Sequence, residues 1–222
     1  MKKIHSRLLK KIYQQLLTRY GPQDWWPAKT RFEVIVGAIL TQNTSWTNVE
    51  KAIENLRKES LLDSQALKNI SVDHLSQLIK PAGYFNVKAR RLKNFLEFFF
   101  SEYDGRMEKM AKVPLEKLRP QLLGVNGIGP ETADSILLYA LDKPIFVVDA
   151  YTKRILSRHG LVDPQLDYHL VQKEFMQTLA HDVNTFNEYH ALIVRLGKEV
   201  CKSKPRCDLC PLKNCFAIPF RK

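Results

Sequence analysis

Apolar residues recur at helical spacing along almost the whole chain, and this period limits the possible folds more than any other feature. Leu9, Ile12, Tyr13 and Leu16 form one stripe; Phe32, Ile35, Val36, Ile39 and Leu40 form a second. Leu92, Phe95, Leu96 and Phe99, and later Tyr189, Leu192, Ile193 and Leu196, repeat the pattern. Spacings of i, i+3, i+4 and i+7 place such residues on one side of an α-helix, where they can be buried together. Two-residue alternation, the mark of a half-buried strand, is nearly absent. Ile145, Phe146, Val147 and Val148 form the best strand candidate, but the run is short and has no evident pairing partner, so it is expected as an extended connector. Breaks at Gly21-Pro22, Pro27, Pro81-Ala82-Gly83, Pro114, Gly127, Gly129, Pro144 and Gly160 divide the chain into roughly ten helices. The expected fold class is all-α.

With 222 residues and 45% hydrophobic content, the chain can bury a substantial core as one large domain or two small ones. Lys and Arg number 35 against 23 acidic residues, a net charge of +12 that favours a polyanionic partner such as nucleic acid. Two patches concentrate this charge. One is Lys88, Arg90, Arg91 and Lys93; the other is the stretch 198–222, with seven basic residues against Glu199 and Asp208. No apolar run reaches the length that spans a bilayer, and the basic N-terminus is amphipathic, without a signal peptide's continuous apolar stretch. The expectation is a cytoplasmic, nucleoid-associated protein with no membrane partner.

All four cysteines lie near the end of the chain. Cys201, Cys207, Cys210 and Cys215 follow the pattern C-x5-C-x2-C-x4-C in the basic loop CKSKPRCDLCPLKNC. Such a group cannot staple the whole chain, whereas four soft thiolates within fifteen residues suit a [4Fe–4S] cluster or a tetrahedral zinc. Thiolate chemistry permits either.

Val125-Asn126-Gly127-Ile128-Gly129-Pro130-Glu131-Thr132 reads as a sharp turn between two helices. Glycine adopts backbone angles that a Cβ forbids, and Pro130 suits a first helical position. LEKLRPQLL, residues 115–123, is the expected first helix, interrupted by Pro120. Ala133, Ile136, Leu137, Ala140 and Leu141 give the second helix one apolar face. The glycine turn and the helix start suit a single phosphate, and equally an ordinary helix end. Asp149, behind Phe146-Val147-Val148, reads both as the N-cap of the helix that follows and as a fixed carboxylate able to stabilise positive charge on a sugar. Trp25, Trp26 and Trp46 offer flat, electron-rich faces suited to a cationic ring, or else core packing at a domain seam.

GVNGIGPETAD, then VVDAY around Asp149, then the cysteine-rich tail, occur in an order that resembles the helix–hairpin–helix base-excision DNA glycosylases, and endonuclease III in particular. The resemblance runs from about Trp25 to Cys215. It implies a six-helix barrel domain over residues 27–141 and a second domain of residues 1–26 plus 142–222, with the active site between them. It also implies a [4Fe–4S] cluster on Cys201, Cys207, Cys210 and Cys215, although two gaps are each one residue shorter than in endonuclease III. Gly127 and Gly129 would grip DNA, with Lys88 and Arg91 on phosphate. Gln42 would fill the space of an extruded base, and Tyr84 would act as the opposing wedge. Bifunctional relatives carry a Schiff-base lysine where this chain has Glu131, which points to a monofunctional glycosylase with weak or absent AP-lyase activity. Trp25-Trp26-Pro27, LTQNT, PAGYFNVKA, GIGPE and VVD are similar to the 3-methyladenine DNA glycosylases of the endonuclease III class. That similarity implies a base pocket of Trp25, Pro27 and Trp46, which Trp26 joins through its own aromatic face, and an alkylated purine in double-stranded DNA as the substrate of a monomer. The cysteine tail keeps oxidised pyrimidines and mismatched uracil or thymine open, and a non-catalytic DNA-binding module is the reading of another class.

Overall fold

Helix starts are written into the chain as short polar caps, and the structure, a computed structural model describing residues 6–23, 25, 26, 28–213 and 215, uses them repeatedly. Twelve α-helices occur among the described residues: α1 Ser6–Tyr20, α2 Arg31–Leu40, α3 Trp46–Lys58, α4 Ser64–Asn69, α5 Val72–Leu78, α6 Phe85–Tyr103, α7 Met107–Lys112, α8 Leu115–Gly124, α9 Pro130–Ser135, α10 Ala150–Arg158, α11 Tyr168–Thr178 and α12 Val183–Glu199. Thr30 accepts from the Glu33 N–H at the start of α2, Asp63 from Gln65 and Ala66 before α4, Ser71 from His74 before α5, and Asp182 from Thr185 before α12. Each such cap satisfies a backbone donor that a helix start leaves over. No strand occurs among the described residues. The all-α expectation holds, and the Ile145–Val148 run is irregular chain. No helix of the described residues is long and apolar enough to cross a membrane.

The chain forms two compact units, residues 26–143, and residues 1–25 together with 144–222. In the first, α2 is central: every residue from Phe32 to Leu40 is buried, and α3, α6 and α9 pack on it. α9 runs on into a π-wound segment, Ile136–Ala140, which also packs on α2. Helical periodicity predicts one apolar face here, but Thr132 through Leu141 are all buried. The segment is enclosed on every side, so its small polar residues Thr132, Asp134 and Ser135 are buried along with its apolar ones. Asp134 is matched by Arg119 of α8, which donates from Nε (2.7 Å) and Nη2 (3.1 Å) to its two oxygens. This bidentate pair joins the two hairpin helices. Pro120 sits inside α8 without ending it, at the cost of the one backbone bond a proline cannot donate.

In the second unit, α12 packs on α1 and α10. Phe146 of the connector is fully buried, stacked on Phe175 of α11 at 3.9 Å and set edge-on to Phe186 and Tyr189 of α12. Tyr189 donates to the Leu9 carbonyl (2.8 Å), tying α12 to α1. These contacts hold the connector that ends at Asp149 in one place.

Candidate active site

Asp149 is the N-cap of α10. Its Oδ1 accepts from the Thr152 N–H (2.7 Å) and the Thr152 hydroxyl (2.8 Å). Its Oδ2 faces Nε2 of His190, on α12, at 3.6 Å. Both side chains are buried. Burial pushes the Asp149 carboxyl up, but hydrogen bonding and charge from His190 and the two Thr152 donors outweigh it and hold the carboxyl below its ordinary value. The result is a buried carboxylate kept ionised, the state that stabilising an oxocarbenium-like sugar requires. His190 was not singled out in the sequence, where it is one residue beyond the start of the Tyr189 stripe and 41 positions from Asp149.

The hairpin is organised around Gly127. Its φ of +93° is a conformation that favours glycine, and a Cβ there would lie 2.3 Å from Arg91 Cγ. Arg91 thus lies across the turn, with its guanidinium donating to Gln42 Oε1. Gln42 Nε2 donates in turn to the Gly127 carbonyl (3.0 Å) and to Thr132 Oγ1 (2.9 Å). The structure therefore brings Gln42, Arg91 and Gly127 into one network. Gly129 differs. Its φ of −87° and ψ of 176° suit any residue, it is exposed, and nothing lies within 4 Å of where its Cβ would be. Glu131 is exposed on the first turn of α9. Tyr84 is 71% exposed and held in the left-handed region (φ 46°) at the head of α6.

Lys88 corrects the sequence expectation of a phosphate contact. It is 1% exposed, and its ammonium donates to the Leu40 and Ala82 carbonyls, both at 2.8 Å. Burial, with Arg91 nearby, lowers its pKa to about 8. Lys88 closes the end of α2 from inside, where a phosphate cannot reach it.

Trp26 and Trp46 meet edge to face at 5.1 Å, and Trp26 also leans on Tyr139 at 4.9 Å. Gly37 of α2 admits them: a Cβ there would stand 3.3 Å from Trp46 and 3.6 Å from Trp26. Trp25, in the other unit, carries the Lys198 ammonium 5.2 Å from its ring centroid. Pro27 lies outside the described residues.

None of the four cysteines is in a disulfide, and among the described residues no three His, Cys, Asp or Glu side chains stand together as a metal-binding group. The donor set nevertheless fits a thiolate-bound metal or cluster. Cys201, Cys207 and Cys210 line a cavity of about 430 Å³ together with Arg158 and Arg206. Burial pushes the Cys210 thiol up; the Leu212 N–H partly offsets this, and the charges of Cys201, Cys207 and Cys215 raise it further. A bound cation would offset the negative charge that several thiolates bring to one place. Arg158 donates to Cys201 Sγ (3.3 Å), while Arg154, also of α10, donates to the carbonyls of Cys201 (2.9 Å) and Gly197 (3.1 Å). The helix that begins at Asp149 is thereby fastened to the cysteine loop.

Comparison with known proteins identifies the family and the fold. Residues 36–181 match the family model described as HhH-GPD superfamily base excision DNA repair protein. A Methanocaldococcus jannaschii protein named as a DNA repair glycosylase is 52% identical over 216 residues, covering 96% of this chain and 98% of that protein. A structure of H. pylori 3-methyladenine DNA glycosylase bound to 1,N6-ethenoadenine superposes with a TM-score of 0.75 at 26% identity, over 87% of this chain and 97% of the other. A non-covalent endonuclease III–DNA complex gives a TM-score of 0.82 at 20% identity, over 96% and 95% of the two chains, and shows the shared fold.

Proposed function

The chain belongs to the HhH-GPD superfamily of base excision DNA repair proteins and is a DNA glycosylase, and from that premise we propose that it is a monofunctional enzyme acting on alkylated purines such as 3-methyladenine. One observation carries the reading: a buried carboxylate, Asp149, accepts two hydrogen bonds from Thr152 that favour its ionised form, while hairpin position 131 offers a second carboxylate in place of an amine. As the bond from the sugar to the base breaks, positive charge builds on the sugar, and Asp149 stabilises it. A water oxygen then bonds to the same carbon, with its proton accepted by the carboxylate. The products are the free base and an abasic sugar in an uncut strand. Glu131 cannot form the Schiff base that strand cleavage by a lysine requires.

An N3-alkylated purine carries positive charge before it leaves, so it needs little acid catalysis. The faces of Trp25, Trp26 and Trp46 suit such a ring. The H. pylori protein named for 3-methyladenine supports the same choice. Gly127 and Gly129 are assigned to one phosphate, Arg91 to the backbone beside it, and the exposed Tyr84 to the opened base step. Cys201, Cys207, Cys210 and Cys215 are assigned to a [4Fe–4S] cluster, which when bound would order the basic loop that meets DNA phosphates. The partner is double-stranded DNA with damaged bases, taken by a monomer at the nucleoid.

The test is base release from duplexes carrying alkylated purines, uracil, thymine glycol and mismatches, with Asp149→Asn alongside. The expected result is release of alkylpurines by the wild type, slowed to a small but measurable residual rate in Asp149→Asn, with no adduct trapped by borohydride. Release restricted to oxidised pyrimidines would reverse the substrate choice, and a trapped adduct would reverse the monofunctional one.

A further inference from the structure

Asp149 has two oxygens, and the structure spends them differently. Oδ1 is committed to its own helix through both donors of Thr152. Oδ2 has no such tie to α10; what stands before it is Nε2 of His190 at 3.6 Å, from a helix 41 residues further along the chain. A carboxylate capped at one oxygen alone is free to swing the other about the capped edge, and a swing of a few tenths of an ångström is enough to weaken charge stabilisation at a reacting carbon.

We propose that His190 is the positioning residue for Asp149, its Nε2–H holding Oδ2 in the direction in which the carboxylate meets the sugar. The inference rests on Asp149 being the hydrolytic carboxylate. The surroundings of the imidazole are those of a fixed support. His190 is 5% exposed, and the edge-on ring of Phe146 lies 6.4 Å away at 89°. Its neighbour Tyr189 is bonded to the Leu9 carbonyl. Two turns along the same face of α12, Gly197 lets α10 approach: a Cβ there would lie 2.3 Å from Tyr151 Cδ1. α12 and α10 are thus set close at Gly197 and Tyr151, and the same register brings His190 to Asp149. Among the described residues, Thr152 and His190 act on the carboxylate, and of these two His190 comes from another helix.

A double-mutant cycle on the intact protein tests this, read by single-turnover base release from dimethyl-sulfate-treated duplex DNA together with DNA affinity. Losing this polar contact to a charged carboxylate is expected to slow His190→Ala release roughly ten- to a hundredfold while the dissociation constant for DNA stays within about twofold. His190→Gln, whose amide nitrogen reaches the place of Nε2, is expected to recover the rate to within about fivefold. In an Asp149→Asn background His190→Ala should cost nothing further. Wild-type rates in His190→Ala, equal losses in the Ala and Gln variants, or additive losses in the cycle would each overturn the proposal. A wild-type rate in Asp149→Asn would instead remove the reading of Asp149 on which it stands. If His190→Ala does not fold, His190→Asn, whose amide stops short of Oδ2, takes its place with the same expectations.

Discussion

The two hairpin glycines are adjacent but for Ile128, and replacing each with alanine should have opposite effects on stability. At Gly127, φ of +93° costs an alanine roughly 1–2 kcal/mol. The new methyl would also meet Arg91 Cγ at 2.3 Å, which forces the arginine stem off the turn and away from Gln42. With overpacking added, Gly127→Ala should destabilise by about 2–5 kcal/mol. Gly129 has extended backbone angles and open space at its Cβ, so Gly129→Ala should stabilise by about 0.4–1 kcal/mol, chiefly by restricting the unfolded chain. Nothing inside the protein asks for a glycine there. The phosphate contact proposed above would supply the reason from outside, since a methyl would block its close approach to the turn. Loss of hydrogen bonding to a charged group then lowers DNA affinity roughly ten- to a hundredfold. Urea midpoints measure the first effect; fluorescence anisotropy at fixed salt, with damaged and undamaged duplexes, measures the second. Both duplexes should weaken equally, because phosphate contacts carry no sequence information. A Gly129→Ala protein that binds DNA as the wild type does would refute the argument, and so would one that is less stable.

Three further predictions come from buried charge and from the cysteine loop. Lys88 keeps its proton up to 10.5 in the unfolded chain but releases it at about 8 when folded, so between these values the unfolded state binds more protons. Stability should therefore rise from about pH 8 to 10.5, and Lys88→Met should abolish this rise in urea titrations; a slope unchanged in the variant would place its origin elsewhere. Arg119→Met leaves the fully buried Asp134 carboxylate without its guanidinium and should cost about 3–5 kcal/mol; a loss below about 1 kcal/mol would mean that the pair does not hold α8 to α9. Cys210→Ser should lower iron and acid-labile sulfide together and weaken DNA binding, whereas zinc in the wild type with no sulfide would overturn the iron–sulfur assignment.

The parts of the fold visible in the sequence are those that local chemistry decides. Helical stripes, the cap at Asp149 and the turn at Gly127 each depend on residues within about one turn of the chain. The capping and catalytic readings of Asp149 were both open from sequence, and the structure shows how one geometry serves the first without excluding the second: the cap uses Oδ1 and leaves Oδ2 turned elsewhere. What the sequence hides is the partner a side chain finds far along the chain. Lys88 and Arg91 are one helical turn apart and look alike as a basic face, yet Lys88 bonds to Leu40, 48 positions away, while Arg91 crosses the hairpin.

The same distance separates what Gln42 looks like from what it does in this structure. In the string LTQNT it is a polar residue after a helix, which the resemblance assigns to the space of an extruded base. In the fold its amide donates to the Gly127 carbonyl and to Thr132, and its oxygen receives Arg91, so the end of α2, the middle of α6 and the hairpin turn meet on one side chain. An amide serves this junction because it donates and accepts at once; a lysine lacks the acceptor for Arg91, and a glutamate lacks the donors for Gly127 and Thr132. The hairpin turn is therefore braced from within by a residue whose neighbours in sequence give no sign of it, and its shape depends on packing among three separate segments as much as on its own glycines.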